Sequence, residues 1–224
     1  MNYLILVGGK GTRLKSIVKN APKPLAPLSN GPFLEFFFDK IGFSLEDKIH
    51  LLCGYKYEAF EEFQKSSKFN FNIIKEDKPL GTGGAIRNAF ELLNLESAVI
   101  FNGDCIQDVD LSLLNEAINK NINLPLMVLR HVDDSSRFGG VKVIENRITH
   151  FAEKGNLGSS LINSGIYYLT NKCINRLPEN YSSIEKDFFE KHLGKINLRA
   201  FIAEGNFIDI GIPEDYLKAK ETYL

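Results

Sequence analysis

The sequence predicts an α/β protein built on a doubly wound, mainly parallel mixed sheet. Short apolar segments typical of buried strands alternate with amphipathic segments typical of helices, which is the βαβα order of a parallel sheet. Glycine-rich or acidic turns follow three of these strands, where open α/β sheets bind ligands. The 224 residues are enough for one domain that buries roughly 70% of its unfolded surface without needing disulfides.

The first predicted elements follow one another regularly. The run Tyr3–Val7 is uninterruptedly apolar, as expected for a parallel strand buried on both faces. Right-handed crossovers between such strands produce an open sheet. We expect strands near 2–7, 48–53, 71–75, 97–101 and 124–130, and helices near 32–42, 57–65, 83–93 and 111–119.

The pattern changes from about Phe138. The segments 140–144, 147–151 and 161–169 are typical of strands with short connections, which predicts a small antiparallel region. The sequence contains no linker, low-complexity segment or internal repeat. We therefore expect a single domain over residues 1–224.

Composition excludes several classes of function. With 27 basic and 28 acidic side chains, the net charge is −1, which indicates neither a nucleic acid nor an acidic membrane as a partner. The 3 cysteines are far apart, and no Cys-x-x-Cys pair occurs, which argues against a zinc site and a disulfide framework. No signal-peptide pattern or membrane-length apolar run occurs, so we expect a cytoplasmic protein.

The turn after the first predicted strand has the composition of a phosphate-binding loop. Gly8, Gly9 and Gly11 let an anion approach the backbone amides, and Arg13 adds a fork of donors suited to phosphate oxygens. Lys23, between two prolines, adds a mobile point charge. The turn matches neither the dinucleotide fingerprint nor the P-loop. A tight turn with solvated charges is the alternative.

Two aspartates far apart in the sequence are candidate Mg²⁺ ligands. Mg²⁺ takes hard oxygen donors, commonly one or two carboxylates completed by substrate phosphates and water. Asp104 follows a predicted strand, where a turn-forming Gly-Asp pair is the alternative. Asp209 stands in an apolar frame, where an unpaired carboxylate would be costly, so a cation partner explains it best.

Two further segments have competing structural explanations. The glycines of 81–84 lead into a predicted helix, so free amides and missing side chains could accommodate a flat nucleotide base; a flexible turn is the alternative. Ser182 and Glu185 fit a helix capping box. We therefore leave Glu185 and Asp187 outside the predicted active site.

These motifs together resemble the signature of the sugar-1-phosphate nucleotidylyltransferases. The family's first motifs resemble Gly-Gly-x-Gly-Thr-Arg-Leu at 8–14 and Pro-Lys-Pro-Leu at 22–25. The later motifs resemble, in the same order, residues 79–85, 101–104, 151–154, 162–167 and 207–216. The resemblance implies a Rossmann-like nucleotidyltransferase fold with a nucleotide-binding part over 1–135 and a sugar-binding part over 136–224.

The resemblance also implies residue roles. Arg13 and Lys23 would be catalytic, while Asp104 and Asp209 would bind Mg²⁺. The residues that would contact the nucleotide are Leu6, Gly8, Gly9, Gly11, Thr12, Glu76, Gly81, Thr82, Asn102 and Gly103. The residues that would contact the sugar 1-phosphate are Glu153, Lys154, Asn163 and Gly165.

The implied reaction transfers a nucleotidyl group from a nucleoside triphosphate to a sugar 1-phosphate and releases pyrophosphate. Glu76 favours GTP, because a carboxylate accepts hydrogen bonds from guanine N1–H and the 2-amino group but opposes the uracil oxygens. A solvated charge run over 76–78 is the alternative.

Within the family, the short single-domain form, Glu76 and the segment 161–169 are most similar to bacterial D-glycero-α-D-manno-heptose 1-phosphate guanylyltransferases. Mannose 1-phosphate guanylyltransferases and short N-acetylmuramate 1-phosphate uridylyltransferases are alternatives. A regulatory subunit that binds nucleotide sugars without turnover is an alternative of another class, against which Arg13, Lys23, Asp104 and Asp209 argue together. The resemblance leaves a homo-oligomer open.

Overall fold

A nine-stranded mixed sheet runs through the molecule in this computed structural model, which describes residues 1–222 except Lys10, Lys15, Ser29, Leu45, Asn156 and Leu157. The strands in chain order are β1 (Asn2–Leu6), β2 (Pro27–Leu28), β3 (Gly31–Pro32), β4 (Lys48–Cys53), β5 (Asn72–Lys75), β6 (Ser97–Asn102), β7 (Cys105–Gln107), β8 (Leu126–Val132), β9 (Val141–Ile144), β10 (Arg147–Phe151), β11 (Ser160–Thr170), β12 (Arg199–Ile202) and β13 (Phe207–Asp209).

Helices cover both faces of this sheet. The α-helices are α1 (Phe33–Ile41), α2 (Tyr57–Ser66), α3 (Gly81–Leu93), α4 (Leu111–Asn119), α5 (Asn171–Ile174) and α6 (Pro213–Thr222). A π-helix spans Ile184–Glu190, and 3₁₀ turns span Thr12–Leu14, Lys23–Leu25 and Leu193–Lys195. Asp110 caps α4 by accepting from the amides of Ser112 and Leu113.

The sheet order is β5-β4-β1-β6-β11-β8-β12-β10-β9. Strands β5, β4, β1 and β6 are parallel, whereas β11 runs antiparallel to both β6 and β8. Strand β12 is parallel to β8, and β10 pairs antiparallel with β12 and β9. The predicted mainly parallel mixed sheet, with an antiparallel region in the second half, is confirmed.

Alternation along β1 shows why the sheet needs two helical layers. Tyr3 and Ile5 belong to one apolar core, whereas Leu4 belongs to the core on the other face. On the first face, helix α1 contributes the fully buried rings of Phe33 and Phe37. Both faces of β1 are buried, which explains why the strand is apolar from Tyr3 to Leu6.

The predicted elements are present with shifted ends. Helix α3 begins at Gly81, two positions before the predicted start, and β8 lies two positions later than predicted. Strand β12 and helix α6 were not predicted from the sequence, whereas the capping-box pattern indicated a helix where the π-helix begins.

The glycines at the start of α3 pack closely against another segment of the chain. A Cβ at Gly83 would lie 2.7 Å from Ser182 Oγ and 3.0 Å from Leu177 Cδ2, and one at Gly84 would lie 3.1 Å from Asn180 O. A Cβ at Gly81, whose φ is +73°, would also collide with Ser182 O. Segment 177–184 of the protein therefore occupies the room that the missing side chains leave.

We expect Gly83→Ala to destabilise the protein by about 1–2 kcal/mol, because overpacking a buried contact outweighs the better helix propensity of alanine. Urea unfolding followed by circular dichroism measures this change. Gly194→Ala is the matched control, since a Cβ there meets nothing within 4 Å. Equal stability of the two variants would contradict this account of segment 177–184.

Candidate active site

The ammonium of Lys23 lies between two carboxylates that are distant in sequence. Its Nζ is 2.8 Å from Asp104 Oδ2 and 3.9 Å from Asp209 Oδ1. The Lys23 side chain is 11% exposed. The two predicted metal ligands and one predicted catalytic cation therefore meet at one place.

Three chain segments build this cluster. Lys23 begins a 3₁₀ turn after Pro22, and the buried Pro24 anchors that turn. Asp104 follows β6, and its carbonyl accepts a hydrogen bond from the Ile210 amide at 3.1 Å. Strand β13 pairs antiparallel with β7, which sets Asp209 opposite Cys105 and thus beside Asp104.

The glycine-rich loop after β1 forms one wall of this site. Gly11 has a φ of +57°, and a Cβ there would lie 3.0 Å from Lys23 Cβ, so the loop packs directly on the lysine segment. Leu14 is buried and fixes the turn that carries Arg13. Lys10 lies outside the described residues. A recess of about 170 Å³ is lined by Leu6, Val7, Gly9, Gly11, Thr12, Arg13, Lys23, Pro24, Asp104 and Gly211.

Asp209 is the more buried of the two carboxylates. Its side chain is 24% exposed, against 42% for Asp104. Its Oδ1 accepts from the Gly211 amide at 2.7 Å, and its Oδ2 is 3.9 Å from an Arg137 nitrogen. Burial raises the pKa of the Asp209 carboxyl, and the neighbouring Lys23 ammonium partly offsets that rise.

A larger cleft of about 830 Å³ adjoins the recess and shares Arg13, Lys23, Asp104 and Gly211 with it. All four predicted sugar-binding residues line this cleft: Glu153, Lys154, Asn163 and Gly165. Asn102, predicted to contact the nucleotide, also lines it. The two predicted substrate sites therefore open into each other.

Gly165 has a packing reason for its missing side chain. Its φ is +81°, and a Cβ there would lie 2.8 Å from Cys105 Sγ and 2.9 Å from Asn102 Nδ2. Gly103 is likewise packed under β1, since a Cβ there would lie 2.7 Å from Val7 Cγ1. Both glycines let neighbouring strands approach closely at the floor of the site.

Glu76, Gly81 and Thr82 lie beside the cavities rather than in their linings. Glu76 Oε1 would be 3.3 Å from a Cβ on Gly8, so its carboxylate stands next to the glycine-rich loop. Its Oε2 accepts from the Leu80 amide at 3.1 Å, and burial raises the pKa of the Glu76 carboxyl. Glu76 is therefore half-buried, whereas Asp77 and Lys78 are exposed, as the alternative of a solvated charge run predicts for them.

The capping interpretation of Ser182 and Glu185 is wrong by one residue. Ser183 caps the π-helix by accepting from the Lys186 amide, and its own amide donates to Asp187 Oδ2 at 2.8 Å. Glu185 instead lines the large cleft. Only Ser182 has a glutamate three positions later, so the capping-box pattern selected the wrong serine and assigned Glu185 to the cap.

The three cysteines are free and buried. Among the described residues, no helix is long and apolar enough to span a bilayer, and no group of three or more His, Cys, Asp or Glu side chains is arranged to hold a metal ion.

A family model described as nucleotidyl transferase matches residues 2–224. The chain belongs to this family. It is 40% identical to a D-glycero-alpha-D-manno-heptose 1-phosphate guanylyltransferase of Aneurinibacillus thermoaerophilus, over 99% of this chain and 97% of that protein. It is also 40% identical to the enzyme of the same name from Campylobacter jejuni subsp. jejuni, over 96% of this chain and 97% of the relative.

A solved structure supports membership at the level of the fold. The structure of HddC from Yersinia pseudotuberculosis complexed with GMP-PN matches this chain with a TM-score of 0.86 and 33% identity. The match covers 100% of this chain and 99% of the HddC chain. The expected nucleotidyltransferase fold is therefore confirmed.

We expect the Asp209→Asn variant to be about 1 kcal/mol more stable than the wild type at pH 7–8 in chelator-containing buffer. The reason is that the buried carboxylate costs stability when it is ionised. A raised carboxyl pKa stabilises the native state at low pH, and this stabilisation is lost as the pH rises. The gain should therefore shrink as the pH falls toward 3.8, the usual aspartate pKa. Urea titrations at several pH values measure it, and a less stable variant at pH 7–8 would refute this reading.

Proposed function

We propose that this protein transfers a guanylyl group from GTP to D-glycero-α-D-manno-heptose 1-phosphate and releases pyrophosphate. The cluster of Arg13, Lys23, Asp104 and Asp209 at the junction of the recess and the cleft carries this proposal. It places two cations and two candidate metal ligands where two phosphorylated substrates would meet. Full-length relatives with 40% identity favour guanine and a heptose.

In this proposal, residues 1–135 bind the nucleotide and residues 136–224 bind the sugar phosphate. The glycine-rich loop would present its amides to the phosphates, and Asn102 would lie between the two substrates. Lys154 would contact the sugar phosphate, while Glu153 and Asn163 would hydrogen-bond sugar hydroxyls above the floor formed by Gly165. Free buried cysteines suit a reducing cytoplasm.

The transfer is an in-line displacement. A phosphate oxygen of the sugar 1-phosphate attacks the α-phosphorus of GTP, a new P–O bond forms, and the bond to the β-phosphate oxygen breaks as pyrophosphate leaves. The nucleophile is already an anion, so no general base is needed. Arg13 would hold the leaving β- and γ-phosphates, and Lys23 would hold the α-phosphate.

Asp104 and Asp209 suit a magnesium ion. They provide two hard oxygen ligands that already enclose a positive charge, the Lys23 ammonium, and substrate phosphates and water would complete the coordination. A bound Mg²⁺ would neutralise phosphate charge and orient both substrates.

Pyrophosphate release tests this function. GTP, UTP, CTP, dTTP and ATP are offered with heptose, mannose and N-acetylmuramate 1-phosphates in Mg²⁺ buffer. We expect GTP with the heptose to give the highest kcat/KM.

We expect Arg13→Ala to lower kcat by about 10²–10³-fold, the usual cost of losing one charged transition-state donor, with little change in stability.

Lys120→Ala is the control for this substitution, since Lys120 forms an exposed pair with Glu116 on α4. Mannose 1-phosphate guanylyl transfer is the second candidate function, since a mannose-1-phosphate guanylyltransferase of Mycobacterium tuberculosis is 33% identical over 97% of this chain and 63% of that relative. Turnover with mannose 1-phosphate alone would favour it. Binding of GTP without pyrophosphate release from any pair would contradict the enzyme assignment.

The position of Glu76 supports guanine. It follows β5 as Gly8 follows β1, so its carboxylate lies at the carboxyl edge of the parallel strands beside the phosphate loop. The Leu80 amide holds one oxygen, which leaves acceptor capacity for the N1–H and 2-amino donors of guanine.

We expect Glu76→Gln to lower kcat/KM for GTP about 10–100-fold relative to UTP, because hydrogen bonds to a charged acceptor are lost. Since burial raises the pKa of Glu76, GTP use by the wild type should decline as the pH falls toward that raised pKa. The glutamine variant should lack this decline. Unchanged GTP preference in Glu76→Gln, measured by pyrophosphate release, would exclude Glu76 from base selection.

A further inference from the structure

Three hydroxyl groups from three elements converge on the carboxylate of Glu185. Its Oε2 accepts from the hydroxyl of Thr82 at 3.2 Å and from that of Ser183 at 2.8 Å. Its Oε1 accepts from the Tyr167 hydroxyl at 3.4 Å. Thr82 lies at the start of α3 and Tyr167 lies in β11, so Glu185 connects these two elements at the edge of the cleft.

The chain of hydrogen bonds continues to a predicted sugar-binding residue. The Tyr167 hydroxyl accepts from Asn163 Nδ2 at 2.9 Å, and Asn163 Oδ1 accepts from the Gly165 amide at 2.9 Å. Both ends of the Asn163 amide are therefore held. One N–H hydrogen and one carbonyl lone pair remain for a ligand in the cleft.

The direction of this chain depends on the charge at its end. A carboxylate only accepts hydrogen bonds, so the Tyr167 hydroxyl donates its hydrogen bond to Glu185. Its oxygen accepts the hydrogen bond from the Asn163 amide. Burial raises the pKa of the Tyr167 phenol well above its ordinary value, and Glu185 adds to that rise. The phenol therefore keeps the proton that it donates.

Two anchors make Glu185 a fixed end. The Ile184 amide donates to Thr82 Oγ1 at 2.9 Å, which locks the threonine that in turn donates to Oε2. With Oε2 occupied by Thr82 and Ser183, Oε1 is directed at Tyr167. A glutamine here would offer one acceptor and one donor, so it could not satisfy the hydroxyls at both positions.

We propose that Glu185 is a positioning residue for the sugar 1-phosphate: through Tyr167 it fixes the orientation in which Asn163 meets the sugar hydroxyls. This inference rests on the proposed function and on the proposed role of Asn163 in it. It gives a role to Glu185, which the capping-box pattern placed outside the predicted active site.

The kinetics of Glu185→Gln and Tyr167→Phe test this role. We expect each variant to raise KM for heptose 1-phosphate about tenfold, the equivalent of one misdirected hydrogen bond, while kcat and KM for GTP change less than about threefold. Tyr167→Phe removes the hydroxyl that connects Glu185 to Asn163 and keeps the carboxylate. It therefore tests the positioning role of Glu185 even if Glu185→Gln does not fold.

The Asn163→Ala background separates positioning from direct contact. If Glu185 acts through Asn163, adding Glu185→Gln to Asn163→Ala leaves KM for the sugar phosphate unchanged. Glu179→Gln is the matched control, because it removes a carboxylate from a nearby position in the chain. The Glu179 side chain is 86% exposed, and its pair with Arg87 is 3.7 Å long. Its KM values should equal those of the wild type.

An equal rise of both KM values in Glu185→Gln, or the same tenfold rise in the Asn163→Ala background, would overturn the inference. An active wild type with unchanged KM in both single variants would also overturn it and leave the proposed function intact. Absence of pyrophosphate release by the wild type with any substrate pair would overturn the function, and this inference with it.

Discussion

The site depends on one ion cluster, in which the Lys23 ammonium lies 2.8 Å from Asp104 and 3.9 Å from Asp209. Two carboxylates this close together would repel each other, and burial makes the ionised form of Asp209 costly. The ammonium offsets both effects. The fold holds it there because the loop after β1 packs against Lys23 and the β7–β13 pair carries Asp209 to Asp104.

The same cluster explains how the site could accept two polyanions without creating unpaired buried charge. In the structure, the Lys23 ammonium offsets one of the two carboxylate charges, and an Arg137 nitrogen lies 3.9 Å from Asp209. In the proposed function, triphosphate oxygens would compete for Lys23, and the accompanying cation would replace the ammonium between the aspartates. Such an exchange of partners would avoid the large cost of leaving a buried ion alone.

The sequence predicted the sheet and the charged cluster because their signals are local. The apolar run into Gly8, the Gly-Asp pair at Asp104 and the apolar frame of Asp209 each identify a residue from its neighbours. The packing of segment 177–184 against the glycines at 81–84 and the position of Glu185 in the cleft were not predicted, because tertiary contacts decide both. Segment 177–184 fills the space beside the glycines, and hydroxyls from α3 and β11 meet Glu185.

A crystal structure of the protein with a nonhydrolysable GTP analogue and Mg²⁺ tests the central claim most directly. The account predicts an ion held by the carboxylates of Asp104 and Asp209, with Lys23 Nζ moved from Asp104 onto an α-phosphate oxygen. A structure in which the triphosphate binds while Lys23 stays on Asp104, with the ion held elsewhere, would contradict it.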